Sequence, residues 1–172
     1  MSAVTLFSLS SCQKLKDALF EPFESPITFD VTIPVVTNTS TEIALGETSV
    51  RFNLDSVIRA NTGNVFGADI VGNMQIKEIG IEIVDGNATS NLSNFSYVKL
   101  AITAGNTAPA VLGPFNIPPS ATASAAFQVN SSVNVKNMFS GATTNFQIIG
   151  RARTPTTMPM KARVSTIIGF EK

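Results

Sequence analysis

The sequence predicts an all-β protein, a single antiparallel β-sandwich of seven or eight strands, immunoglobulin-like or jelly-roll-like, with one short helix. Segments in which apolar and polar residues alternate recur along the chain, and this period-2 pattern indicates strands with one buried face. Turn-forming residues separate the segments at fairly even intervals, as in sandwich folds. Charged residues make up only 14% of the chain, well below the usual quarter, and this composition is typical of extracytoplasmic β proteins.

The strand pattern can be followed element by element. Residues 27–35 alternate between apolar and polar, and Pro34 favours an edge strand because proline has no N–H to donate. Residues 76–84 form another strand pattern, whose apolar phase changes near residues 77–78 and indicates a β-bulge. Further strands are predicted at 49–54, 95–103, 110–117, 123–129, 146–153 and 160–170, and a short helix at 55–61. Residues 133–139 fit either a strand end or a helical turn.

The only cysteine, Cys12, follows an apolar stretch and two small residues. This arrangement resembles the lipobox of bacterial lipoproteins, in which a peptidase cuts before the cysteine and the cysteine becomes lipidated. The resemblance implies a signal-peptide-like segment at 1–11, a lipidated cysteine with a tether at 12–26, and a sandwich domain at 27–172. The alternative is an ordinary N-terminus followed by a small buried cysteine. The apolar stretch is too short for a transmembrane helix, which needs about 20 apolar residues.

The order of the elements carries a second resemblance. A lipobox, a tether, a strand pair, a helix beginning near Leu54 and Asp55, and a strand at 74–83 together resemble lipoproteins of Bacteroidota with immunoglobulin-like sandwiches. This resemblance implies a lipid-anchored protein of the bacterial outer membrane and leaves open whether it faces the periplasm or the surface. The tripeptide around Ser56 resembles the O-glycosylation acceptor of Bacteroidota, although a helix N-terminus explains the same residues.

The residue inventory argues against an enzyme. The chain has no histidine and one cysteine, so Ser-His and Cys-His arrangements cannot form and a zinc cage lacks its usual ligands. The carboxylates follow no catalytic spacing, and no glycine-rich phosphate loop is present. We therefore predict no catalytic residues, no metal site and no cofactor. A sugar-stacking platform is also disfavoured, because the chain has no tryptophan and Tyr97 is its only tyrosine.

The formal net charge is zero, but the charges are unevenly distributed. Residues 1–86 carry 11 acidic and 5 basic side chains, whereas residues 87–172 carry 7 basic and 1 acidic side chain. Either the two halves interleave so that their charges cancel, or the domain is dipolar and docks head to tail or on an anionic surface. Nucleic acid is not a predicted partner, because the net charge is zero and basic and aromatic residues do not interleave.

Four cations are the candidate docking residues. Arg151 and Arg153 are two residues apart on one predicted strand, and Lys161 and Arg163 are two apart on the next. If the two strands pair as a hairpin, the four side chains form a basic patch for an acidic partner or anionic lipid. The alternative is the solvated face of a sheet, on which charge discourages edge pairing.

Three functional hypotheses follow from these observations. The first is a non-catalytic cell-envelope lipoprotein, held to the membrane by the lipid on Cys12, that acts as a structural or accessory subunit through protein-protein docking. The second is a self-assembling subunit of an extracellular fibre, layer or capsid. The third is a surface module that binds a carbohydrate or lipid ligand, which a pocket lined by Tyr97 or arginine side chains would support.

Overall fold

The computed structural model describes residues 19–141 and 143–172, and this part of the chain contains eight strands in two four-stranded antiparallel sheets. The strands are β1 (Phe23–Ile33), β2 (Ile43–Arg51), β3 (Asn73–Ile83), β4 (Phe95–Thr103), β5 (Ala110–Asn116), β6 (Ser124–Gln128), β7 (Thr143–Ala152) and β8 (Met160–Glu171). A short helix, α1 (Leu54–Asn61), follows β2. The predicted all-β sandwich with a short helix is confirmed.

The strand order defines the sandwich as a jelly roll. Sheet A has the order β1-β8-β3-β6, and sheet B has the order β2-β7-β4-β5. The pairs β1·β8, β2·β7, β3·β6 and β4·β5 are those of one long antiparallel hairpin that turns between β4 and β5. Wrapping that hairpin into two layers gives the eight-stranded jelly roll rather than the strand order of an immunoglobulin sandwich.

The core lies between the two sheets and consists largely of the apolar residues that the predicted alternation places on one face of each strand. On β1 every second residue from Ile27 to Ile33 is buried. Phe29 of β1 stacks on Phe146 of β7 with ring centroids 4.3 Å apart, and this contact joins sheet A to sheet B. No helix in the described part of the chain is long and apolar enough to cross a bilayer.

Strand β1 differs from its prediction at both ends. It begins at Phe23, where the ring stacks on Phe170 of β8 at 4.7 Å. It ends at Ile33, because Pro34 follows and cannot continue the ladder. The alternation predicted over residues 27–35 places Val35 on the same buried face as Ile33, and this part of the prediction is wrong. Val35 is exposed, and Val36 is buried instead, with its N–H donating to Thr156 Oγ1 at 2.8 Å.

Three further local predictions can be compared with the structure. The bulge in β3 is confirmed, because the register against β8 shifts between Ile76 and Glu78. The strand predicted at 49–54 is displaced, since β2 ends at Arg51 and Leu54 opens α1. The ambiguous segment at 133–139 contains a 3-10 turn at Lys136–Met138.

Candidate interaction surface

Of the two predicted modification sites, the structure describes only Ser56. Cys12 lies outside the described residues. Ser56 is exposed in the first turn of α1, where its backbone N–H donates to Asn53 Oδ1 at 2.9 Å. That bond caps the helix, so residues 53–56 have a structural role, and glycosylation of the Ser56 hydroxyl stays a prediction.

The four predicted docking cations do not form one patch. Arg151 lies on β7 in sheet B and Arg153 follows it, whereas Lys161 and Arg163 lie on β8 in sheet A. The condition for a shared patch, that these two strands pair as a hairpin, is not met, because β7 pairs with β2 and β4 while β8 pairs with β1 and β3. In a jelly roll, consecutive strands β7 and β8 cross from one sheet to the other.

Each cation is also bonded within the chain. Arg151 Nε donates to the Thr39 carbonyl at 3.2 Å, and Arg153 donates to the carbonyls of Ser93 and Ile117 at 2.8 and 2.9 Å. Lys161 Nζ lies 2.6 Å from Asp30 Oδ2, and Arg163 Nε lies 3.3 Å from Asp30 Oδ1. The hydrogen bond from Lys161 is the main cause that lowers the pKa of Asp30.

The two oppositely charged halves of the sequence interleave in space. Both sheets contain strands from both halves, and acidic side chains of the first half pair with basic side chains of the second. These pairs are Asp30 with Lys161 and Arg163, Glu42 with Lys99, and Glu82 with Arg163. The structure therefore supports the interpretation in which the charges of the two halves cancel, and it leaves the charge asymmetry little role in docking.

Tyr97, the predicted marker of a ligand pocket, belongs to a small polar cluster on sheet B. Its hydroxyl donates to Glu42 Oε2 at 3.1 Å, and Lys99 Nζ lies 2.6 Å from the same oxygen. The Lys99 ammonium also lies 5.9 Å from the centre of the Tyr97 ring. The pKa of Glu42 is lowered, chiefly by the hydrogen bond from Lys99. The polar groups of these three side chains are thus bonded to one another.

A cleft of about 640 Å³ lies where β2 ends and α1 begins. The charged side chains that line it are Arg51, Asp55, Asp69 and Lys136. Two of them are engaged within the chain: Asp55 accepts the Ala68 N–H at 3.0 Å and pairs with Arg59 at 2.5 Å, and Lys136 Nζ donates to the Val71 carbonyl. Among the described residues, no three His, Cys, Asp or Glu side chains group as a metal site requires.

The two flanks of the sandwich, where the sheets end in edge strands, differ in chemistry. On the charged flank, β1 and β2 meet at Gly46, whose α-carbon faces the Thr32 carbonyl. These two edge strands carry exposed charged residues, a proline and a register shift, all of which discourage pairing with another chain. The protecting features are Glu24, Pro26, Asp30, Glu47, Arg51 and the bulge between Ala44 and Gly46.

The opposite flank has no charged side chain along its own strands and loops. Edge strands β5 and β6 meet there through Phe115 and Phe127, whose rings stack at 5.3 Å. From residue 100 to residue 135, the sequence contains no Asp, Glu, Lys or Arg. We call residues 104–135 the uncharged flank. It exposes the apolar side chains of Val111 and Val133.

The edge of sheet A on this flank is longer than β6. Val129 N–H donates to the Lys77 carbonyl and Val135 N–H to the Met74 carbonyl, so the chain continues along β3 beyond the end of β6. Strand β5 is protected by Pro114, which has no N–H, and by a register shift against β4 between Val98 and Leu100. Strand β6 has neither proline, bulge nor charge.

The net charges of the two halves of the sequence do not reveal this surface. The signal was present as a run of 36 consecutive residues without a charge, between Lys99 and Lys136. Only the sheet order shows that this run supplies both edge strands of one flank.

No family model matches the sequence, and no curated protein matches it. Similar solved structures include the capsid asymmetric unit of cyanophage Pam1, at 13% identity, TM-score 0.38, and coverage of 89% of this chain and 88% of that chain. They also include the decameric BFDV capsid protein, at 11% identity, TM-score 0.34, and coverage of 88% and 99%, respectively. The overlap is too loose to transfer any property to this chain.

Proposed function

We propose that the protein is a non-catalytic structural subunit that works by docking to protein through its uncharged flank. The observation that carries this proposal is the uncharged run at 100–135, which forms both edge strands of one flank. The opposite flank carries exposed charges, a proline and a bulge, which discourage pairing with another chain. The two flanks of the same molecule therefore differ in their suitability for docking.

The two flanks differ in the free energy of covering them with another protein. Covering the uncharged flank buries apolar side chains such as Val111 and Val133, which is favourable at about 25 cal/mol per Å² of apolar area. Covering the charged flank would desolvate Asp30 and its partners, and burying charges carries a penalty of several kcal/mol per ion. An edge without charge or proline is also the kind that pairs with another chain.

The proposal is tested by placing a charge on each flank in turn. Val133→Lys puts an ammonium on the uncharged flank, and Val35→Lys puts one beside β1 on the charged flank; the two native side chains are 41% and 46% exposed. We expect Val133→Lys to raise the protein concentration needed for assembly at least about tenfold, because the interface must then bury a charge. Light scattering on the full chain after size-exclusion chromatography measures this.

The matched control is expected to assemble like the original protein, since Val35 lies outside the proposed interface. Equal loss of assembly in both variants, or loss only in Val35→Lys, would contradict the proposal. Thermal unfolding of both variants separates an interface effect from a loss of stability.

The membrane anchor is a separate part of the proposal. We infer that Cys12 is lipidated and holds the subunit to a bacterial outer membrane, and the lipobox-like run that ends at Cys12 supports this. Mass spectrometry of the N-terminal peptide from membrane-extracted protein is expected to show a chain that begins at Cys12 and carries added acyl mass. An unmodified chain that retains Met1 would contradict the lipidation of Cys12. It would not affect the proposal that the protein docks through its uncharged flank.

A further inference from the structure

The free edge of β6 has a defined hydrogen-bonding pattern. The Ile83 N–H donates to the Ala123 carbonyl and the Val129 N–H donates to the Lys77 carbonyl, so residues 123 and 129 face β3. Hydrogen-bonded pairs alternate along an antiparallel ladder, and residues 125 and 127 therefore face β3 as well. The N–H and carbonyl groups of the three residues between them, Ser124, Ala126 and Gln128, point away from β3.

These outward groups are available for pairing. In the described part of the chain no strand lies beyond β6 in sheet A. The side chains of Ser124, Ala126 and Gln128 are exposed on the outer face of the sheet. An added strand would meet a regular edge of alternating donors and acceptors, with small or amide side chains beside it.

We propose that the docking partner is a second copy of this chain, which adds to sheet A by antiparallel pairing of β6 with β6. This inference rests on the proposed function, because it assigns the partner of the same flank. With a two-fold axis at Ala126, this residue lies opposite Ala126 of the partner subunit, and Ser124 lies opposite Gln128 of the partner subunit. In that register the outward N–H and carbonyl groups of all three residues are satisfied in each copy.

The side chains in this register complement one another. Alanine faces alanine across the axis, and a serine hydroxyl faces a glutamine amide on either side of it. The nearest acidic residues of sheet A, Glu78 and Glu82, lie one strand further in, on β3, where Glu78 accepts a bond from Gln128 at 2.7 Å. With strands about 4.8 Å apart, Glu78 and the partner subunit's Glu82 remain about 14 Å from each other.

The symmetry of the contact sets the size of the assembly. A two-fold contact uses the same surface on both copies and closes on itself, so β6 pairing joins two four-stranded sheets into one eight-stranded sheet. The head-to-tail filament of the dipolar hypothesis needs two different surfaces, and several charges that it would use are paired within the chain, namely Asp30, Glu42, Lys99, Lys161 and Arg163. The expected assembly is therefore a dimer.

Proline at position 126 tests the pairing with little disturbance of the monomer. Because the Ala126 N–H points away from β3, Ala126→Pro removes a donor needed only by the second copy, and edge strands tolerate proline at such positions. We expect the dissociation constant of the dimer, measured by sedimentation equilibrium on the full chain, to rise at least about tenfold. Ala126→Thr keeps the N–H and is expected to leave the constant within about threefold.

A second variant covers the case in which Ala126→Pro unfolds. Ala126→Lys keeps the N–H but sets two ammonium groups opposite each other across the axis, where like charges destabilise pairing, and it is expected to raise the dissociation constant of the dimer about fivefold. A dimer that survives Ala126→Pro or Ala126→Lys and is lost in Val133→Lys would overturn β6 pairing and leave docking through the flank in place. If the chain is monomeric at all concentrations, the proposal that a second copy is the partner is overturned. If an assembly forms and is insensitive to Ala126→Pro, Ala126→Lys and Val133→Lys, both proposals are overturned.

Discussion

Replacement of Phe146 by alanine is expected to lower the free energy of unfolding by about 3–5 kcal/mol. The Phe146 ring is fully buried, stacks on Phe29 at 4.3 Å, and lies 6.1 Å from the ring of Phe139. Removing it leaves a cavity between the two sheets that the surrounding strands cannot fill without breaking their ladders. Urea or thermal unfolding measures the loss.

Val84→Ala is the matched control for this prediction, because Val84 follows β3, lies outside the uncharged flank and is half exposed. It is expected to change stability by no more than about 0.5 kcal/mol. Since domains of this size are stable by about 5–15 kcal/mol, the loss of Phe146 removes a large share of the total. A change below about 1 kcal/mol in Phe146→Ala would contradict the inter-sheet packing described above.

Gly46→Val is expected to destabilise the fold by about 3 kcal/mol or more. A Cβ atom at Gly46 would lie 2.5 Å from the Thr32 carbonyl oxygen and 2.5 Å from Val31 Cγ1. One of these is backbone, so the clash moves β1 away from β2 rather than turning a flexible side chain. The bulge that places Gly46 there also buries Leu45 completely, and the shift disturbs that contact as well.

Ala44→Val enlarges an exposed residue on the same strand and serves as the control for Gly46→Val. Its stability is expected to stay close to that of the original protein, because its side chain faces solvent. If both variants unfold at the same urea concentration as the original protein, the close approach of the two strands at Gly46 is wrong.

The sequence predicted the strands well because burial on one face is a local pattern. The alternation on β1 and the phase change in β3 both correspond to observed features, including the bulge between Ile76 and Glu78. Val35 was misplaced because the alternation runs past Pro34, while the ladder does not. Stacking of Phe23 on Phe170 extends β1 towards the N-terminus, and that contact joins residues far apart in the chain.

The local sequence pattern could not predict which strands pair with each other. Arg151 and Lys161 lie close in sequence and on consecutive strands, which favoured a hairpin, yet the jelly roll sends the two strands to different sheets. The pairing of Asp30 with Lys161 across 131 positions depends on the same topology. The uncharged run can be seen in the sequence, but only the sheet order shows that it supplies both edge strands of one flank.

Hydrogen exchange of the assembled full chain tests the central claim most directly. The claim predicts that assembly slows exchange at the amides of Ser124, Ala126 and Gln128, and leaves the amides of β1 and β2 unchanged between dilute and assembled protein. Slower exchange on β1 and β2 instead would contradict docking through the uncharged flank, and no change at Ser124, Ala126 and Gln128 would contradict β6 pairing.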